Sequence, residues 1–282
     1  MFLMLGVPSR VCVASLILVL SVYGCGSDGR TTLTLGIPTT VEDSGLLDAL
    51  LPVFESGHSE YRVRFVAGGS GELLALAARG DLDALLSHSP RAEERFMESG
   101  RGLSRRLVME NDFVLVGPES DPAGVRGFAD AADALARIAE ADAPFLSRGD
   151  DSGTHRKELE LWAEVGLSPR WSDYREAGEG MAAVLRAASG LGSYALCDRA
   201  TYMNLRETID LHILAQGDPR LLNIYRVIVV SDARATEAAE AFASWLTSED
   251  GRREIAAYGV ERFGAPLFRP AEAESGPARQ QG

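Results

Sequence analysis

The residues best suited to chemistry lie in three short segments, each between a strand-like and a helix-like stretch. The first, GIPTTVEDSG at 36–45, brings the hydroxyls of Thr39 and Thr40 to a helix entrance. The second, GGSG at 68–71, sets Ser70 among glycines whose backbone can approach a ligand closely and turn N–H groups toward it. The third, SRGDDSGTH at 147–155, places the permanently charged Arg148 just ahead of Ser152, Gly153 and Thr154 at another helix start. Singly, each has an ordinary use: Ser, Thr and Asp cap helices, GGSG makes a tight turn, and Arg148 beside Asp150 and Asp151 makes a weak surface ion pair. Together they supply what a desolvated tetrahedral oxyanion needs. That is one full positive charge, several neutral donors, and helix N-termini worth about half a positive charge each.

Catalytic patterns fit less well. Ser152 and His155 stand three apart at a helix start, where the imidazole points away from a nucleophile, and no G-x-S-x-G, Walker A or H-E-x-x-H sequence occurs. His58, His88, His155 and His212 are scattered, and His88 and His155 read as structural hydrogen-bonding residues. The pairs Asp81/Asp83 and Asp150/Asp151 lack a calcium-type ligand loop. A binding protein with no cofactor, no resident metal and no catalytic residue is expected. An enzyme or a sensor domain on the same framework is the contrasting reading, separable by turnover or by a fused signalling partner.

Alternating period-2 and period-3.6 patterns define the elements that must hold these segments. Strands are expected over 32–37, 61–68, 82–87, 111–117, 144–147, 193–197, 211–215 and 224–230. Helices are expected from 44, over 72–79, 91–98, 128–140, 155–165, 180–188, 199–207, 236–246 and 251–258. Strands and helices in this alternation argue for α/β layers with largely parallel sheets, and for a ligand where strand ends meet helix N-termini. The 282 residues suit two lobes. The formal net charge of −13 argues against a broad nucleic-acid surface.

The N-terminus reads as an address. Arg10 precedes a short apolar stretch at 11–22, too short for a bilayer span, which ends at Gly24 and Cys25. Gly-Cys after such a stretch resembles a lipoprotein processing site, with Cys25 lipidated as the mature first residue; an ordinary signal peptide is the other reading. Cleavage there removes Cys12 as well and leaves no second thiol to pair with Cys197 inside the fold. The expected organisation is a signal peptide at 1–24, a linker at 25–31, one lobe from 32–115 with 226–269, a second lobe at 116–225, and a tail at 270–282. The product is expected to be extracytoplasmic and monomeric.

Six stretches together resemble the tungstate-binding proteins of ABC transporters: EDSGLL at 42–47, GDLDALLSH at 80–88, NDFVLVGP at 111–118, SRGDDSGTHRKE at 147–158, DRATY at 198–202 and GDPRLLNIY at 217–225. The resemblance implies a type II periplasmic binding-protein fold, with two α/β lobes joined by two crossing segments near 113–117 and 222–227. It also implies capture of tungstate or molybdate for a membrane permease driven by a separate ATPase. Arg148, Ser152, Gly153 and Thr154 match the family's pattern unchanged. Ser70 stands where the family has a glycine-flanked Thr. The family's first loop is a run of Thr and Ser; here Ile37 and Pro38 replace its first members while Thr39 and Thr40 keep hydroxyls, and Pro38 has no N–H to donate. EGMA at 179–182 matches a helix start that adds backbone donors at Met181.

Arg-x-Asp-x-Ser-Gly-Thr at 148–154 also resembles the phosphate-binding proteins of the same fold. Phosphate near neutral pH keeps a proton and needs a carboxylate acceptor, whereas tungstate and molybdate are unprotonated dianions that a facing carboxylate repels. Asp150 is therefore either that acceptor or a partner holding Arg148 from behind, and the wider match points to the second role.

Overall fold

The computed structural model describes residues 29–272; the expected leader at 1–24 and lipidation site at Cys25, with residues 26–28 and 273–282, lie outside the described residues. Strand β1 (Thr31–Pro38) leads into a short helix α1 (Thr39–Ser44) and then α2 (Leu46–Gly57). The first chemical segment, expected as a loop, is thus already helical from Thr39. Gly45, at φ 73°, ends α1 in the left-handed conformation, so the single expected helix from 44 becomes two. Strand β2 (Tyr61–Gly68), helix α3 (Ser70–Ala78), β3 (Ala84–Ser87) and α4 (Pro90–Glu98) follow.

Strand β4 (Gly102–Gly117) is longer than the 111–117 strand expected, because its first half also pairs in the sheet. Beyond it come α5 (Ala131–Glu140), β5 (Phe145–Ser147), α6 (Gly153–Glu164), a short β6 (Tyr174–Glu176), α7 (Met181–Leu191), β7 (Ala195–Asp198), α8 (Arg199–Leu205) and β8 (His212–Ala215). Strand β9 (Leu222–Val230) and helices α9 (Thr236–Thr247), α10 (Glu249–Ala257) and α11 (Val260–Phe263) lead to β10 (Arg269–Pro270), which pairs with β4. The strands β6 and β10 and helix α11 are too short for periodicity to reveal.

The main sheet runs β10-β4-β9-β3-β1-β2, with β7 and β8 also on β4. It is mixed, which corrects the expectation of largely parallel sheets. β1 is parallel to β2 and β3, but β9 is antiparallel to both β3 and β4, and β7 and β8 are antiparallel to β4. The cause is topological: β4 carries the chain from one lobe to the other and β9 brings it back, so the two must run in opposite senses. β4 changes partners between Asp112 and Phe113, from β9 to β7.

Two separate cores follow from this change. Leu33, Leu35 and Ile37 of β1 pack with Leu47, Leu50 and Phe54 of α2 and Phe242 of α9. Beyond the change of partner, Phe113 and Leu115 face Leu135, Phe145 and Trp162, while Val114 and Val116 face Met181, Val184 and Leu185. Alternation along one strand thus sends successive side chains to helices on both faces of the second lobe. The result is a pair of α/β lobes with a cleft between them.

Candidate functional site

β5 delivers Ser147 and Arg148 into the cleft. Gly149, at φ +63°, turns the chain where a Cβ would lie 2.5 Å from that of Glu176, so glycine is required there. Ser152 then caps α6, its Oγ accepting from the His155 backbone N–H at 3.3 Å. Arg148 is only 1 % exposed. Its Nη2 donates to Thr39 Oγ1 at 3.2 Å and to Asp150 Oδ2, yet its Nε and Nη1 are buried without a partner. A buried guanidinium with two unpartnered donor nitrogens is costly unless an anion completes it.

Other buried donors without partners belong to the same group: Thr40 Oγ1 in the first turn of α1, Ser70 Oγ at the start of α3, and Thr154 Oγ1 in the first turn of α6. The lobes meet around them. Beyond the Arg148–Thr39 bond, a Cβ on Gly69 would lie 3.7 Å from the Asp150 carbonyl oxygen, and the Ala182 N–H donates to Asp43 Oδ2 at 3.2 Å. Asn204 Nδ2 donates to the Ser44 carbonyl at 2.7 Å. Gly153 packs so closely on His88 that a Cβ would fall 2.4 Å from the imidazole.

Asp150 has both oxygens engaged. Oδ1 accepts from the Ser152 N–H at 3.1 Å and Oδ2 from Arg148. Burial pushes its carboxyl pKa up, but the Ser152 bonds and the Arg148 charge outweigh this and hold it below the usual range. It is a carboxylate orienting Arg148 and has no oxygen spare. Asp198 differs: Oδ1 accepts from the Thr201 N–H at 2.9 Å, but the buried Oδ2 has no partner. Burial raises its pKa to about 6 against the lowering effect of its bonds to Thr201, with smaller opposed contributions from the Asp43 and Arg148 charges.

Of the residues singled out from sequence, Thr39, Thr40, Ser70, Arg148, Ser152, Gly153 and Thr154 are therefore brought to one interlobe region. Met181 is the first residue of α7, next to the Ala182 N–H that Asp43 takes, and its side chain is fully buried in the core. Asp43, Asn204 and the His88–Gly153 contact escaped sequence reading, since each is defined by a partner far along the chain; Asp198 caps α8 locally, and only its burial beside the site was hidden. His88 is structural: Nδ1 lies 2.8 Å from Asn223 Oδ1 and the ring stacks on Tyr225 at 5.1 Å. His155 Nδ1 accepts the Asp151 N–H at 3.0 Å, so no Ser152–His155 nucleophile pair forms. Among the described residues no cluster of three or more metal-ligating side chains occurs, and Cys197 is buried as a free thiol.

The family model for a PBP superfamily domain matches residues 28–250. The tungstate-binding protein TupA of Peptoclostridium acidaminophilum is 40% identical over 94% of this chain and 98% of its own. The chain belongs to the tungstate-binding-protein family of the PBP superfamily. Solved members of this family have the same fold. The tungstate ABC transporter structure from Geobacter sulfurreducens is 39% identical, with TM-score 0.75, over 80% of this chain and 98% of that one. The tungstate-binding protein TupA from Desulfovibrio alaskensis G20 is 34% identical, with TM-score 0.71, over 86% and 99%. The type II periplasmic binding-protein architecture expected from the resemblance is thus the fold of this family member.

Proposed function

We propose that this protein is the extracytoplasmic solute-binding component of an ABC importer, capturing tungstate, with molybdate as a second ligand, and handing it to a membrane permease served by a separate ATPase. Arg148 supplies the full positive charge, and the hydroxyls of Thr39, Thr40, Ser70, Ser152 and Thr154 with the N–H groups of Gly153 and Met181 supply neutral donors. The observation that carries this reading is the set of buried, unpartnered donors on Arg148, Thr40, Ser70 and Thr154, with Asp150 held behind Arg148 instead of offering an acceptor. Donors without an acceptor suit an anion that has no proton to give. The names of the relatives point the same way.

In this reading residues 32–115 with 226–269 form one lobe and 116–225 the other; the change of partners inside β4 supports a boundary within that strand. Cys25 carries a lipid that tethers the monomer outside the membrane. No helix of the described residues is long and apolar enough to cross one.

Phosphate is the second reading, favoured by one observation: Asp198 Oδ2 is buried, unpartnered and close enough to Arg148 to feel its charge. Titration calorimetry with tungstate, molybdate, sulfate and phosphate separates the two. Tungstate binding that phosphate does not displace is expected, and Arg148→Ala should weaken it at least about 100-fold, the usual cost of removing a buried charged partner. Preferred phosphate binding, abolished by Asp198→Asn, would replace tungstate with phosphate. Unchanged tungstate affinity in Arg148→Ala would remove Arg148 from the site.

A further inference from the structure

Three carboxylates share the Arg148 guanidinium. Asp150, in the turn before α6, bonds it directly and has no oxygen spare. Asp43, near the end of α1, feels its charge from a partly exposed position and spends Oδ2 on the Ala182 N–H at 3.2 Å. Asp198, the last residue of β7, also feels that charge and is fully buried. Its Oδ1 accepts from the Thr201 N–H at 2.9 Å, whereas Oδ2 is left without a hydrogen-bond partner. A buried carboxylate oxygen in that state is as costly as the idle nitrogens of Arg148.

A second neighbour ties Asp198 to the donors. Burial and then the Asp198 charge push the Tyr225 hydroxyl pKa far up, and the Thr40 hydroxyl opposes them. Tyr225, which accepts from Asn223 Nδ2 at 2.8 Å, is thus a neighbour of both Asp198 and a donor of the proposed site. The other groups around Asp198 do not neutralise it. Cys197, beside it in β7, is a thiol that burial keeps protonated, and Arg199 on α8 is taken by Asp112 through bonds of 2.7 and 2.6 Å. One guanidinium therefore serves three carboxylates before a doubly charged anion arrives. An ionised Asp198 would repel that anion in a place water cannot screen, and would face its oxygens acceptor to acceptor. One proton removes both penalties, because it cancels the charge and turns Oδ2 into a donor. Burial already brings the Asp198 pKa to about 6 against its bonds to Thr201, and a dianion alongside raises it further.

We propose that Asp198 is a further ligand of the oxyanion and binds it as a carboxylic acid: tungstate enters with one proton from solvent, which rests on Asp198 Oδ2 and is donated in a hydrogen bond to an anion oxygen. The proposal rests on the oxyanion-capture reading above. It gives the carboxylate that could have served hydrogen phosphate a use with an anion that brings no proton. Capture then tightens as pH falls, because the proton is a co-ligand and its concentration enters the binding equilibrium.

Titration calorimetry with sodium tungstate on the full mature protein tests it, run near pH 7.5 in buffers of different ionisation enthalpy so that protons taken up per anion are counted. The native protein should take up about one proton more than Asp198→Asn, whose amide donates without titrating and keeps the cap on Thr201. From about pH 6.5 to about pH 8.5 the native Kd should rise at least about 20-fold, and that of Asp198→Asn less than about three-fold. Asp43→Asn should keep the native proton count. No uptake by the native protein, equal uptake in Asp198→Asn, or uptake lost in Asp43→Asn instead overturns the acid role of Asp198, while tungstate binding by the native protein still upholds the capture reading. Failure of the native protein to bind tungstate overturns both.

Discussion

Arg148 illustrates why the residue proposed to hold the anion is a poor stabiliser. Its guanidinium is buried, held by Thr39 and Asp150, and left with two idle donor nitrogens, so the empty protein carries the desolvation cost and only the ligand offsets it. Replacing the pair together, with apolar Met for Arg148 and neutral Asn for Asp150, should therefore leave the unliganded protein about as stable as the native one. Arg148→Met/Asp150→Asn is expected to melt near the native temperature without ligand, and to lose the tungstate-induced shift entirely, in a differential scanning experiment. Lysine should not substitute. A point charge on a flexible stem cannot hold Asp150, meet Thr39 and still present two donors to an anion, so Arg148→Lys should bind at least about ten-fold more weakly by calorimetry. That Arg148 stands beside a capped helix start was legible from SRGDDSGTH. The side of Arg148 on which Asp150 sits was not, because a two-residue spacing allows the carboxylate to lie in front of or behind the guanidinium.

At the level of elements, the cleft is closed where α6 presses on β3's continuation at His88. The ring stacks on Tyr225 of β9 and rests against Gly153, with no room for a Cβ. Gly153→Ala should obstruct this closure and weaken tungstate binding at least about ten-fold, while His88→Ala in the same chain should recover part of the loss; the coupling appears in a double-mutant cycle. Burial lowers the His88 pKa to about 4, the Asn223 bond opposing it, so the folded protein keeps the ring neutral. Its contribution to stability is present above the unfolded value near 6.5 and is lost as pH falls toward 4. Asp198 and Glu158, raised by burial to about 6 and about 7, run the other way and lose stability as pH rises through those values. Denaturant titrations should therefore show the native protein losing about 2–3 kcal/mol relative to His88→Gln between pH 7 and pH 4. A pH-independent difference between the two would place the imidazole outside the closed contact.

Taken as a whole molecule, two cores are tied by β4 and β9, and an anion bound between them stabilises both by mass action. At a ligand concentration about 1,000 times Kd the gain is about 4 kcal/mol. For a chain of this size that corresponds to a rise in melting temperature of about 8–16 °C. Tungstate should produce such a shift, and sulfate at the same concentration a much smaller one; equal shifts would remove selectivity from the proposed function. The net charge of −13 does not prevent binding, because fields from distant carboxylates are screened over about 8 Å at physiological salt. Donors within that range decide affinity.

The order of strands and helices, the three donor segments and the single arginine among them were determined by the chain's own local rules. Periodicity, glycine conformations and capping residues act over a few positions and leave their mark in the string. What lay beyond it was every pairing across a long separation: the antiparallel return of β9 beside β4, the Asp43 carboxylate at the start of α7, Gly153 against His88. Such partners are chosen by how two cores pack and close, and the free energy of that choice belongs to no short segment. The same packing decides that Thr40, Ser70, Thr154 and Arg148 are left with donors unspent, which is the property on which anion binding depends.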